Sequence, residues 1–291
     1  MKKTLKYLIF ILLITPLFFL TEGCTNDSMD NIDIVVTNYP NEYVVKKLYD
    51  NHATITSIYP DRVDINEYKI SNKQKKDISK VDLFVHNGLL EKERDLAVDL
   101  LTINPNLKII DTAYVLETDY SPEELWLNPS SLLMMSQNVR TALEEYISNN
   151  YLIKDVESAY NELKIELSEI DADYRIAVES TDNKTIIVAD SALKYLEKFG
   201  LNVICIDTDA SQKTLADAEN LIADEQVSYI ITFKELEDNE NVTTMMENYP
   251  NLQKIELHRL DNISDEERSN KDNYNTIMRN NLELIKKELY Q

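Results

Sequence analysis

Carboxylates are the most abundant groups in this sequence that could do chemistry. The 291 residues include 52 Asp and Glu, but only three His and two Cys. Two carboxylates, Glu124 and Asp190, could act as an acid and base pair if the fold brought them together. The sequence contains no GxSxG, CxxC or HExxH pattern. We therefore expect a binding protein and not an enzyme.

The composition excludes two classes of partner. The formal net charge is −22 at pH 7, and such a surface repels the phosphates of DNA and RNA. Only three Gly are present, whereas phosphate-binding loops need several for close approach of the backbone. We therefore expect neither a nucleic-acid partner nor a nucleotide-binding loop.

Eight short runs rich in β-branched residues predict the strands that must position these carboxylates. Most runs are continuously apolar, which is typical of strands buried on both faces. Segments with apolar residues at helical spacing separate them, and this alternation predicts parallel sheets flanked by helices. The predicted strands cover residues 32–37, 54–59, 81–86, 107–111, 185–190, 202–207, 227–233 and 253–257.

The strands fall into two groups of four, separated by a long helical pattern. We expect an α/β protein of two lobes, residues 32–130 and 180–291, joined by helices over residues 131–179. Each lobe is expected to hold a four-stranded parallel sheet. Ligands of such sheets bind beyond the carboxyl ends of the strands, so the sequence predicts a site in the cleft between the lobes.

The N-terminus is typical of an export signal. Residues 1–23 combine a positively charged start with an apolar run at residues 7–20, which is too short to cross a membrane. Gly23-Cys24 follows and is similar to a bacterial lipobox, which predicts a lipid anchor on Cys24. An ordinary signal peptide is the alternative. Residues 24–31 are expected to form a short tether.

Four segments carry a resemblance to a known family. The first covers residues 66–71 and 81–91 and contains Asn87-Gly88, and the second, residues 122–129, contains the only Trp, Trp126. The third covers residues 188–201, and the fourth, residues 274–282, lies in the last predicted helix. In this order they resemble the zinc/manganese-type solute-binding proteins of ABC transporters.

The resemblance also implies a ligand set. In that family three His and one carboxylate hold the metal between the lobes. The three His positions match Asn66, Glu124 and Asp190 in this chain, so all three imidazoles are replaced. The fourth ligand position falls at Glu235 or at Asp261.

Two interpretations of this replacement remain open. The all-oxygen set could still bind a divalent ion, such as Mn, Zn or Ca, since oxygen ligands suit hard cations. Alternatively the metal site is lost, and the chain is a metal-free paralogue that acts as an adhesin-like or accessory binding lipoprotein. An organic ligand in the cleft is a third possibility.

The first interpretation leads to a specific expectation. The chain would be a lipid-anchored monomer on the extracytoplasmic face of a bacterial membrane, where it captures a divalent ion and docks on an ABC permease. The strongly negative surface would raise the local concentration of cations. Trp126 is expected to pack in the wall of the cleft, and a long helix between the lobes should limit their closure.

Overall fold

The computed structural model describes residues 29–60, 63, 67–234 and 236–291. The signal segment, Cys24, Asn66 and Glu235 therefore lie outside the described residues. Within the described part of the chain, no helix is long and apolar enough to cross a membrane.

The N-terminal lobe alternates strands and helices along the chain. Its strands are β1 (Ile32–Val36), β2 (Ala53–Ser57), β3 (Leu83–His86) and β4 (Lys108–Asp111). Its helices are α1 (Tyr39–Tyr49), α2 (Asn72–Ile78), α3 (Glu91–Ile103) and the short α4 (Glu124–Leu127). Two long helices follow, α5 (Pro129–Tyr146) and α6 (Asn150–Glu179).

The C-terminal lobe repeats the alternation. Its strands are β5 (Thr185–Val188), β6 (Asn202–Cys205), β7 (Tyr229–Phe233) and β8 (Gln253–Leu257). A 3-10 helix, Ser191–Phe199, follows β5. The remaining helices are α7 (Gln212–Ala223), α8 (Glu240–Asn248), α9 (Asp265–Ser269) and α10 (Tyr274–Leu289).

Each lobe contains one four-stranded parallel sheet, and both sheets have the same strand order. The orders are β2-β1-β3-β4 and β6-β5-β7-β8. In each sheet the first strand therefore lies between its two successors, and Ile187 of β5 pairs with Ile204 on one side and Ile230 on the other. The chain leaves β1 and β5 at the point where the winding direction of the sheet reverses, which is where ligands of such sheets bind.

All eight predicted strands are present, and the predicted fold class is confirmed. The observed bounds of β8 equal the predicted ones, and most other strands end one or two residues before the predicted limit. The buried strand residues are mainly Val, Ile, Leu and Phe, whose shape suits a pleated surface covered on both faces.

Helix α6 packs against elements of both lobes. Its buried residues recur at three- and four-residue spacing and include Val156, Leu163, Ile170 and Tyr174, which defines one apolar face. The Tyr174 hydroxyl donates to the carbonyl oxygen of Met278 in α10 at 2.9 Å. This helix is therefore one of the elements that fix the two lobes relative to each other.

The described end of the predicted tether, residues 29–31, includes a core residue. Met29, which we assigned to it, is fully buried, and the hydroxyl of Tyr49 donates to its carbonyl oxygen at 2.5 Å. The chain therefore enters the N-terminal lobe by residue 29. The side chain of Met29 is apolar and adaptable, so it packs in the core although its neighbours in the sequence are polar.

A buried carboxyl group connects the carboxyl ends of β1 and β3. Glu93 is only 2% exposed, and its Oε2 accepts hydrogen bonds from Thr37 Oγ1 at 2.6 Å and Asn87 N at 2.7 Å. Asn38 Nδ2 donates to its Oε1 at 3.2 Å. Burial raises the pKa of Glu93 to about 7, although these donors favour the carboxylate.

This raised pKa predicts a specific pH dependence of stability. Glu93 releases its proton at its ordinary pKa of 4.5 in the unfolded chain and near 7 in the folded one. Between these values the folded state binds more protons, so the contribution of Glu93 to stability falls as the pH rises. The unfolding free energy of the wild type minus that of Glu93→Gln should therefore fall by about 3 kcal/mol as the pH rises through this range.

Urea unfolding at a series of pH values measures this difference. Glu91→Gln is the matched control, because Glu91 lies on the same helix but is exposed and should leave the pH profile unchanged. A difference between the wild type and Glu93→Gln that stays constant, or rises with pH, contradicts the assignment.

Candidate functional site

Asp190 lies where the geometry of the C-terminal sheet predicts a ligand. It follows β5, the strand that β6 and β7 flank, and its Oδ1 accepts a hydrogen bond from Ala192 N at 2.8 Å. This bond caps the 3-10 helix. Burial raises the pKa of Asp190, and the charges of Glu123 and Asp207 act in the same direction.

Asp261 lies in the loop that follows β8 and is 9% exposed. Its carbonyl oxygen accepts a hydrogen bond from Tyr39 N, at the start of α1, at 3.1 Å. Asn262 next to it donates to the carbonyl oxygen of Pro60 at 3.2 Å. The loop therefore lies against the N-terminal lobe. Burial also raises the pKa of Asp261, and the charge of Glu123 adds to this effect.

An arginine lies among these carboxylates. The Nη1 atom of Arg259 is 3.2 Å from Asp261 Oδ2, and its Nη2 contacts Glu123 Oε1. Its positive charge lowers the pKa of both Asp190 and Asp261, against the effect of burial. The whole Arg259 side chain is 10% exposed. It is thus a buried cation shared by carboxylates of both lobes.

The backbone around Arg259 is held by neighbours. The indole Nε1 of Trp126 donates to the carbonyl oxygen of Arg259 at 3.0 Å, and Trp126 itself is 1% exposed. The hydroxyl of Tyr274 donates to the carbonyl oxygen of Trp126 at 2.7 Å. Trp126 is therefore a core residue that supports the backbone of Arg259 from inside the fold.

The two consecutive glutamates at the start of α4 contact different partners. Glu123, just before the helix, reaches Arg259. The Oε2 atom of Glu124, the residue predicted from the motif, accepts hydrogen bonds from the backbone N–H of Asp119 at 3.1 Å and of Tyr120 at 3.3 Å. Glu124 thus stabilises its own loop, while Glu123 contributes its charge to the cluster.

We call Glu123, Asp190, Asp261 and Arg259 the cleft cluster. Of the five predicted ligands, Asp261 pairs with Arg259 directly, and Asp190 lies within reach of the Arg259 charge without a direct contact to it. Asn66 and Glu235 lie outside the described residues. Among the residues that are described, no group of three or more His, Cys, Asp and Glu has the arrangement of a metal site. Glu123 and Arg259 were not among the residues predicted as ligands, because neither falls on a ligand position of the motifs.

A cavity of about 360 Å³ opens beside the guanidinium. Its wall includes Arg259, Asp261, His258 and Glu267. His258 Nδ1 accepts a hydrogen bond from Leu260 N at 2.8 Å, and its Nε2 lies 3.3 Å from Glu267 Oε1. Burial lowers the pKa of His258 to about 4, so this ring is neutral at pH 7 and acts as a structural support of the loop.

The whole described fold has relatives among known proteins. Residues 34–288 match the family described as "Zinc-uptake complex component A periplasmic". The chain is 22% identical over 294 residues to the high-affinity zinc uptake system protein ZnuA of Bacillus subtilis, covering 92% of this chain and 91% of that protein.

Streptococcal proteins extend the comparison. The zinc-binding lipoprotein AdcA of Streptococcus pneumoniae strain R6 is 20% identical over 292 residues, which cover 91% of this chain but 57% of AdcA. The crystal structure of the Zn(II)-bound ZnuA-like domain of AdcA from the same species superposes with a TM-score of 0.71 at 20% identity. It covers 90% of this chain and all of that domain, and it shows that the two share a fold.

The capping bond of Asp190 can be separated from its charge by two substitutions. Asp190→Asn keeps an Oδ1 acceptor for Ala192 N, whereas Asp190→Ala removes both the acceptor and the charge. We expect Asp190→Ala to be less stable than Asp190→Asn by about 1 kcal/mol in urea unfolding at pH 7. Equal stability of the two variants would show that the cap contributes nothing.

Proposed function

Because the chain belongs to the zinc-uptake complex component A family, we propose that it is the extracytoplasmic solute-binding component of a divalent-metal ABC transporter. The observation that carries this proposal is the match over residues 34–288, which includes both lobes and the cleft cluster between them. The proposed activity is capture of one ion per chain and its delivery to a membrane permease.

The electrostatics of the cleft support a cation as cargo. Glu123, Asp190 and Asp261 place three carboxylates near one guanidinium, so the cleft cluster keeps a net negative charge when all three are ionised. The chain as a whole carries a formal charge of −22. Such a field concentrates cations near the cleft, and a bound divalent ion would relieve the repulsion between the carboxylates.

We propose Asp190 and Asp261 as the carboxylate ligands of the ion. Asp261 is buried and Asp190 is half-buried, and both are close enough to Arg259 for its charge to lower their pKa. Asn66, Glu124 and Glu235 are further candidates that rest on the motifs alone. Zinc is the ion in the names of the relatives. Carboxylate ligands bind zinc and also suit Mn²⁺ or Ca²⁺, so these three ions are the ones to compare.

The remaining parts of the chain fit delivery at a membrane surface. We propose that Cys24 carries the lipid anchor, as the lipobox-like Gly23-Cys24 indicates and as the lipoprotein name of the AdcA relative supports. The 30-residue helix α6 packs on both lobes, so we expect only a modest closing motion when the ion binds. The proposed docking partner is the permease of an ABC transporter.

A second function has one specific observation in its favour. Arg259 already supplies a cation to Glu123 and Asp261, so the cleft cluster is partly neutralised without a metal ion. A metal-free paralogue that acts as an accessory or adhesin-like binding lipoprotein would keep such an ion pair permanently.

Metal titration of the purified, chelator-treated chain separates the two functions. We expect about one equivalent of ion bound, with zinc, manganese and calcium ranked by competition against a fluorescent indicator. Asp261→Asn should weaken binding by roughly tenfold or more, because it removes a charged ligand. Asp182→Asn is the control, since Asp182 is exposed just before β5 and should not change the affinity.

Absence of binding for all three ions would contradict the transport function and favour the metal-free paralogue. Unchanged binding in Asp261→Asn would show that the ion binds away from the cleft cluster.

A further inference from the structure

Arg259 holds a position that two features of its loop define. Leu260, the next residue, is fully buried and has a φ of 66°, a left-handed conformation that costs a non-glycine residue about 1–3 kcal/mol. This turn allows Arg259 and Asp261 to meet in an ion pair although they are only two residues apart. The surrounding contacts must compensate for the strain, and the Trp126 indole is one of them.

The guanidinium uses oxygen atoms that a metal ion would need. Its Nη1 donates to Asp261 Oδ2 at 3.2 Å, and its Nη2 donates to Glu123 Oε1. A lone pair that accepts an N–H cannot also coordinate an ion, and a positive charge at this distance repels a divalent cation. Charge repulsion, together with competition for the Asp261 carboxylate, therefore disfavours an ion at this place while the guanidinium keeps its present position.

We infer that Arg259 is an internal cation at the cargo position, which sets the metal affinity of the cleft because an incoming ion must displace its guanidinium from Asp261 and Glu123. The inference rests on the proposed function, since it names the residue that tunes that same site. The cavity of about 360 Å³ beside Arg259 provides space into which the side chain can move.

The inference distinguishes this residue from other arginines that join the lobes. Arg268 makes a two-point contact with Glu42, at 2.7 Å and 2.8 Å, and thereby also connects α9 with α1. Neither residue of this pair belongs to the cleft cluster. Arg268→Gln therefore removes a comparable ion pair without changing the charge at the proposed cargo position.

The test compares zinc affinities of four proteins by competition with a fluorescent zinc indicator. They are the wild-type chain, Arg259→Gln, Arg259→Lys and Arg268→Gln. We expect Arg259→Gln to bind zinc roughly tenfold or more tightly than the wild type, because a repelling charge is removed. Arg259→Lys, which keeps the charge, should bind much more like the wild type, and Arg268→Gln should be unchanged.

Thermal unfolding supplies a second measurement. In chelator, Arg259→Gln should have a lower melting temperature than the wild type, because its carboxylates lose their counter-ion. Zinc should raise that temperature more in Arg259→Gln than in the wild type, and Asp261→Asn in the same chain should reduce the gain. If Arg259→Gln is unfolded in chelator, refolding on addition of zinc supports the inference in the same way, and failure to refold overturns it.

Two results would overturn the inference, and they differ in what they imply for transport. If the wild type and Arg259→Gln bind zinc with equal affinity, Arg259 does not compete with the ion, while the proposed function stands. If neither protein binds zinc, the inference and metal transport by this cleft both fail.

Discussion

The described structure depends most on one buried cation between carboxylates of two lobes. Arg259 contacts Asp261 of its own loop and Glu123 of the N-terminal lobe, and its charge also reaches Asp190. Removing one partner of such a buried pair typically costs about 3–5 kcal/mol, because it leaves an uncompensated charge. Glu123 and Asp261 both contact this guanidinium, and its positive charge offsets the repulsion between them when both are ionised.

The fold makes this convergence possible through a repeated topology. Both sheets have their first strand between the two that follow. Asp190 follows β5 and Asp261 follows β8, and Tyr39, after β1, donates its N–H to the carbonyl oxygen of Asp261. The shared core fixes their relative position, since α6 packs on both lobes and Tyr274 stacks on Tyr43 with ring centroids 5.2 Å apart.

The strands were predictable, whereas half of the cleft cluster was not. Apolar β-branched runs indicate buried strands without knowledge of their neighbours, and strand ends place Asp190 directly. By contrast, Glu123 and Glu124 are adjacent on the same short turn, and only tertiary contacts decide which carboxylate faces Arg259. Arg259 looks like a surface residue in sequence. Its burial depends on Asp190 and Glu123, which lie 69 or more positions away in the sequence, and on Asp261, which follows the strained residue Leu260.

The central claim, that a divalent ion and the Arg259 guanidinium compete for the same carboxylates, is tested most directly by a crystal structure of the chain saturated with zinc. The account predicts an anomalous zinc peak about 2.0–2.2 Å from oxygens of Asp190 and Asp261, with the guanidinium moved away from Asp261. Zinc bound elsewhere, with the contacts of Arg259 to Glu123 and Asp261 intact, would contradict it.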